Sequence, residues 1–191
     1  MYFMEIMNTK VEGVCVFCPK TYDDNRGSFM ELWNQKAFFD IGITDYFVQD
    51  NISTSIKGVV RGMHTQVNFP QAKIVSCLNG AIYDVAVDTR LTSPTFGKWH
   101  GELLSGENHH QMYIPQGVAH GFLTLEDALV HMKVTTHYIL GDEIGFIWND
   151  ESIGIDWPIA PDMELTLANK DLKWSSFSIM MGTLMHMRSN Q

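Results

Sequence analysis

Short runs of β-branched and aromatic residues, each closed by a turn-forming cluster, recur along this chain with almost no helical pattern between them. That rhythm restricts the fold more than any other feature. Val11 to Phe17, Gly58 to Arg61, Ala72 to Cys77, Ala81 to Asp88, Gln111 to Ile114 and Ala128 to Tyr138 read as strands. Asp23-Asp24-Asn25-Arg26-Gly27, Asn79-Gly80, Ser93-Pro94, Pro115-Gln116-Gly117 and Leu140-Gly141-Asp142 read as turns. Asn79-Gly80 joins two strand-like runs directly, a strong hairpin signal because such a turn demands residues that accept positive φ. Only Phe29 to Phe39 carries a helical pattern, so a parallel sheet built on strand-helix-strand units is not expected. Evenly spaced short strands with glycine turns predict an all-β antiparallel barrel or a double-sheet jelly roll.

With 191 residues and 45% hydrophobic content, the chain reads as a single domain over 1–191, with 176–191 as a peripheral C-terminal tail. A chain of this length buries roughly 70% of its extended surface and needs neither disulfide nor structural metal to fold. Cys15 and Cys18 form one C-x-x-C ending at Pro19, without the second pair that a structural zinc site wants. These and Cys77 read as structural thiols. Thirteen Lys plus Arg against 22 Asp plus Glu give a formal charge of -9, which argues against nucleic acid as a partner. The start MYFMEIMNTK has no basic stretch followed by an apolar run, and no segment approaches a membrane span. The expectation is a cytoplasmic protein with no membrane partner. The methionine-bearing stretch Ile179 to Met185 reads as a short helix or an adhesive strand, suited to covering a neighbouring subunit.

Several groups carry potential chemistry. Arg61-Gly62-Met63-His64 follows a strand, and Gly62 permits close backbone approach beside two polar side chains. Lys73 shares a strand face with Val75 and Cys77. Asp84 interrupts the apolar strand IYDVAV and needs a partner there, because an unpaired buried carboxylate is costly. His120 is enclosed by small residues in Val118-Ala119-His120-Gly121-Phe122, and Asp171 follows Lys170 near the tail. Each has a plain structural reading: a satisfied strand histidine, a buried hydrogen-bonded acid, a loop cap. His109-His110 and His186 read as surface groups.

A metal centre is not expected. His64 is followed at the alternate position by Gln66, and neither H-E-x-x-H nor a facial triad of ligands occurs. G-x-G-x-x-G and G-x-S-x-G are missing too. What remains is acid-base chemistry without a cofactor. A histidine oriented by a carboxylate can take a proton from a carbon beside a carbonyl, and a cation near the carbonyl oxygen stabilises the enolate.

The runs DDNRGSFMELW, FVQDNIS, VVRGMHTQ, KIVSCLNGAIYDVAVDTR, SPTFGKWHGELLS, YIPQGVAHGFLTL and FIWNDESIGIDWP, in this order, resemble the dTDP-4-dehydrorhamnose 3,5-epimerase family, metal-free and cupin-like nucleotide-sugar epimerases. The resemblance covers about residues 10 to 175. It implies a cupin-like barrel of jelly-roll type with short peripheral helices, no cofactor, and a homodimer with exchanged N-terminal strands. By the same resemblance His64 is the catalytic base and Asp171 its carboxylate partner, with Lys73 and Arg61 around the C4 keto oxygen. Asp84 is implied as a buried acid holding the constellation, by pairing with Lys73, and His120 as a pocket histidine. Arg26, Phe29, Glu31, Gln49, Asn51 and Tyr138 are implied as nucleotide or sugar contacts, partly across the dimer interface.

The chain departs from the family at one telling position. Where the family has Y-K-T-T-x-Y-Y, with its first tyrosine as general acid, this sequence reads Met132-Lys133-Val134-Thr135-Thr136-His137-Tyr138. A thioether donates no proton. Strand alternation sets Met132, Val134 and Thr136 on one face and His131 and Lys133 on the other, so His131 is no simple substitute. Water, a displaced Tyr138, inversion of one carbon only, or an altered substrate each answer the loss. The function expected is epimerisation at C3 and/or C5 of a nucleotide-linked 4-keto-6-deoxy sugar, with dTDP-4-keto-6-deoxyglucose as first choice. A keto-isomerase and a catalytically silent nucleotide-sugar binder are the alternatives. Gln116 and Val118, where the family commonly has Glu and Phe, mark a reshaped pocket.

Overall fold

The computed structural model describes residues 5–189, and these form two antiparallel sheets packed face to face. The strands are β1 (Glu5–Asn8), β2 (Cys15–Cys18), β3 (Thr21–Asp24), β4 (Gly27–Met30), β5 (Gln49–Ser55), β6 (Val59–Gln66) and β7 (Lys73–Asn79). They continue as β8 (Ala81–Asp88), β9 (Trp99–Ser105), β10 (Gln111–Ile114), β11 (Val118–Thr124), β12 (Ala128–Val134), β13 (Glu143–Gly145) and β14 (Thr166–Leu167). One sheet runs β1-β2-β10-β7-β12-β5 and the other β13-β6-β11-β8-β9, with β14 pairing in parallel with the start of β6. Strands β3 and β4 form a separate hairpin.

The expected barrel is not there. Among the described residues each sheet is open: β1 and β5 edge the first, β13 and β9 the second, and no ladder joins the two sheets. The architecture is jelly-roll-like, a sandwich rather than a closed cylinder. Alternation along a strand dictates which side is apolar, but closure depends on hydrogen bonding at the outermost strands, which alternation does not encode.

Inward residues of both sheets make the central core: Val75 and Cys77 of β7, Ile82 and Ala86 of β8, Met112 and Ile114 of β10, Phe122 of β11 and Val130 of β12. Both outer faces are covered as well. Helix α1 (Gln35–Asp40) sets Phe38 against Phe17, Ile74 and Tyr113 on the first sheet. Asn34 caps it, accepting from the Ala37 N–H. Helix α2 (Phe177–Ser189) lays Phe177, Met180, Met181 and Leu184 over Met63, Val85, Val87 and Ala119 on the second. Each such side chain contributes roughly 1.5–3 kcal/mol on burial. Covering both faces explains why β8 and β11 read as nearly continuous apolar runs.

The hairpin at Asn79-Gly80 forms as expected, with Gly80 at φ 72 and β8 over the predicted residues. The predicted helix from Phe29 to Phe39 is corrected: Phe29 and Met30 belong to β4, and the helix begins only at Gln35. The segment Ile179 to Met185 is helical.

Candidate active site

A cavity of about 390 Å³ opens between the two sheets. From the first sheet it is walled by Gln49, Asn51 and Ser53 of β5, Lys73 of β7, and Met132 and Val134 of β12, with Gln71 just ahead of β7. From the second come Arg61 and His64 of β6, His120, Gly121 and Phe122 of β11, and Glu143 of β13. Tyr138 and Lys170 complete the rim.

Arg61 and His64 lie three residues apart, and in a regular strand they would face opposite ways. A bulge brings both to the cavity. His120 pairs with His64 and Phe122 with Arg61, so Gly62 and Met63 together oppose Gly121 alone. Two glycines make this possible. A Cβ on Gly62, at φ 100, would lie 2.5 Å from the His120 carbonyl oxygen, and one on Gly121 would lie 2.6 Å from the Arg61 carbonyl oxygen. Met63 turns outward into the core beneath α2.

His64 is mostly enclosed, with Nδ1 at 3.6 Å from Glu143 Oε1. The other oxygen of Glu143 accepts from Lys170 Nζ at 2.8 Å. Burial, with the positive charges of Lys73, Lys170 and His120, holds the His64 imidazole well below the usual histidine range. The ring is therefore neutral at physiological pH, the form a general base requires. Lys73 is lowered to about 8 by burial, with Glu143 and Asp84 opposing the shift and Lys170 adding to it. Arg61 is anchored at the mouth, its Nε donating to Ser55 Oγ at 3.1 Å and its guanidinium to the Thr54 carbonyl at 3.2 Å.

Asp84 and His120 are both buried, and the imidazole Nε2 lies 2.6 Å from Asp84 Oδ1. Asp84 thus has His120 as its hydrogen-bond partner and acts on Lys73 as a nearby negative charge. Asp171 is buried but does not line the cavity, and the structure does not bring it to the His64 ring. It accepts from Trp174 Nε1 at 3.2 Å and meets the Gly62 N–H, so it braces the bulge from behind. Burial pushes its carboxyl above the usual range.

Gln49 and Asn51 reach the cavity together, the Gln49 amide donating to Asn51 Oδ1 at 2.7 Å. Tyr138 stands half-exposed at the rim. Arg26, Phe29 and Glu31 do not meet the cavity of their own chain. Arg26 is bound to Asp24 in the β3–β4 hairpin, and Phe29 projects with 69% of its surface exposed. Alternation on β12 is regular past Val130: Met132 faces the cavity, while His131 and Lys133 turn outward to Asp50.

Sequence reasoning missed Ser53, Gln71, Glu143 and Lys170. Ser53 and Gln71 follow from alternation with Asn51 and Lys73. Glu143 and Lys170 sit on a three-residue strand and in a loop, where no periodicity exists to find them. Among the described residues, no three His, Cys, Asp or Glu side chains are grouped to hold a metal ion. No helix among them is long and apolar enough to cross a membrane.

Residues 8–178 match the family model described as dTDP-4-dehydrorhamnose 3,5-epimerase. The enzyme of that name from Shigella flexneri is 45% identical over 177 residues, covering 91% of this chain and 96% of that one. The crystal structure of dTDP-6-deoxy-D-glucose-3,5-epimerase from Legionella pneumophila, in complex with dTDP-4-keto-L-rhamnose, superposes with TM-score 0.91 at 43% identity, covering 95% of this chain and 97% of that one. A more distant structure, a 3'-monoepimerase from Streptomyces bikiniensis in complex with dTDP-quinovose, has TM-score 0.82 at 29% identity over 93% of this chain and 88% of that one. The chain belongs to the dTDP-4-dehydrorhamnose 3,5-epimerase family, and it is an isomerase that epimerises a nucleotide-linked 4-keto-6-deoxy sugar.

Proposed function

We propose that His64 takes the proton from the carbon beside the C4 ketone, at C3, C5 or both, of a dTDP-linked sugar. One observation carries this reading: a neutral, enclosed imidazole shares a cavity sized for a sugar with the cationic side chains of Lys73, on the opposite wall, and Arg61, on its own strand. Lys73 and Arg61 hold the keto oxygen and its developing negative charge, which in a water-poor site is a large source of rate. Glu143 is the carboxylate near enough to support the imidazolium, and Asp171 acts through the bulge that presents His64. His120, held by Asp84, shapes the floor. The ketone supplies the acidity, so no cofactor enters.

Gln49, Asn51 and Tyr138 contact the nucleotide or sugar from the same chain. Arg26, Phe29 and Glu31 contact it from a second copy, in a homodimer with exchanged N-terminal strands. Their exposed hairpin, turned from its own cavity, supports that role. The free thiols Cys15, Cys18 and Cys77 support a cytoplasmic setting.

Incubation with dTDP-4-keto-6-deoxyglucose in D2O, followed by mass spectrometry and proton NMR, tests the reading. Deuterium at C3, C5 or both with inversion is expected, and the label names the carbon. Tight binding with no label would make the chain a silent binder. A moved carbonyl would make it a keto-isomerase.

A further inference from the structure

We propose that Lys73 is also the proton donor of the reaction, delivering to the face of the enolate opposite His64 in place of the tyrosine that this chain lacks at position 132. The proposal rests on His64 as the base. Inversion needs an acid on the other wall, and the two sheets supply two walls: His64 stands on β6 of one, Lys73 on β7 of the other.

Register places Lys73 beside the vacated position. Val75 is the cross-strand partner of Met132 and Val134 that of Lys73, and Lys73 and Val75 share the inward face. Lys73 is thus the diagonal neighbour of Met132, about 7–8 Å away at Cα, within reach of a long side chain. The other side chains that β5 and β12 and Gln71 set on that wall are amides, a hydroxyl, a thioether and an alkyl group, and none gives up a proton near neutrality; the one phenol of the lining, Tyr138, stands half-exposed at the rim. His131 points outward to Asp50, and His137 Nδ1 is 3.2 Å from Gln49 Oε1.

Among the described residues, no hydrogen bond or ion pair holds the Lys73 ammonium. Glu143 and Asp84 face it as negative groups, Lys170, Arg61 and the His64 ring as the others. Its lowered pKa of about 8 suits an acid working near neutral pH.

The step balances without a co-reactant. His64 takes the proton from carbon, and the C–H electron pair becomes the enolate. That pair then forms the new C–H bond with a proton from Lys73 Nζ, which restores the ketone. His64 is left as imidazolium and Lys73 as neutral amine. One proton returns from His64 to Lys73 through solvent at the cavity mouth. The return is downhill, because the buried imidazole binds a proton far more weakly than the amine does.

Lys73→Arg separates the two duties of this residue. Arginine keeps the charge that steadies the enolate but does not release a proton in the working range. In D2O the variant is expected to exchange the proton beside the ketone within about tenfold of wild type, while inverted product falls on the order of 100-fold or more. Adding Met132→Tyr to that variant is expected to bring inversion back. Retained inversion in Lys73→Arg overturns the proposal. So does joint loss of exchange and inversion in a variant that still binds dTDP, which would confine Lys73 to the enolate. His64→Asn is expected to lose both, and continued exchange there would instead overturn the base. Wild type gives a check free of folding effects: the ratio of inversion to exchange should fall as pH rises through about 8. A flat ratio overturns the donor.

Discussion

His120 Nε2 lies 2.6 Å from Asp84 Oδ1 on adjacent strands of one sheet, with both side chains almost wholly buried. Asp84 Oδ2 has no hydrogen-bond partner. Among the described residues the imidazole is thus the carboxylate's one hydrogen-bond partner, and the pair stabilises the floor only while both members are present. His120→Ala should cost about 3–5 kcal/mol, the range for breaking a buried pair. Asp84→Asn keeps an acceptor for the ring and should cost clearly less. Urea midpoints of the two variants compared with wild type decide it, and equal losses would contradict the asymmetry.

The bulge makes a sharper demand. Gly121→Ala would place a methyl 2.5 Å from Met63 Sδ and 2.6 Å from the Arg61 carbonyl oxygen. The backbone has no room to yield without unmaking the two-against-one pairing that turns Arg61 and His64 to the same side. Exchange in D2O should fall at least about tenfold, as small misplacements of a base do. Gly182→Ala, in α2 with open space around it, should leave exchange unchanged. Comparable losses in both variants would contradict the geometric reading.

That bulge also marks how much the sequence could tell. Strands β7, β8 and β10 and the shared face of Met132 and Val134 follow from alternation, and the Asn79-Gly80 hairpin from residues that accept positive φ, whereas β5 and β9 were not read as strands and β12 stops at Val134. The shared face of Arg61 and His64 does not follow from alternation, because a bulge breaks the two-residue period at one point that only the facing strand reveals. The family resemblance named both residues, but their placement came from the register. Glu143 and Lys170 lay outside any period. Sheet closure was misjudged because it concerns edges, and the His120 partner of Asp84 went unread because it sits on an adjacent strand far away in sequence.

Two carboxylates compete for the role of partner to His64, and their geometry separates them. Glu143 Oε1 is 3.6 Å from the imidazole, whereas Asp171 meets Trp174 and the Gly62 N–H. Glu143→Gln should lower the exchange rate by about 10- to 100-fold, since the imidazolium loses its nearest negative charge. Asp171→Asn should reduce it less. Near neutral pH it should leave stability unchanged or raised. A carboxyl whose folded pKa is raised loses stability as pH climbs past its unfolded value, and the amide removes that loss. The reverse ranking of rates would return Asp171 to the role of direct partner.

The depressed His64 pKa has two consequences of known sign. The base form persists below the usual 6.5, so the acid limb of exchange should fall at a distinctly lower pH. The unfolded chain, by contrast, takes up a proton near 6.5 that the folded one refuses, so His64 lowers stability progressively as pH drops below that value. His64→Asn should therefore unfold at higher urea than wild type at pH 5, relative to the difference at pH 8. An acid limb at the ordinary histidine value would mean that burial does not tune this base.

The hairpin offers a test of assembly that uses dead enzymes. Phe29 is a large apolar residue exposed on β4, away from its own cavity. In an exchanged dimer it completes the partner's site. Phe29→Ala with Arg26→Ala should therefore be as inactive as His64→Asn when each is assayed alone. Unfolded together and refolded as a mixture, the two should regain activity. Random pairing makes half the dimers mixed, and each mixed dimer holds one site with an intact His64 facing an intact hairpin. About a quarter of wild-type activity is then expected for a two-fold dimer. A mixture as inactive as its components would place the hairpin's contribution within a single chain.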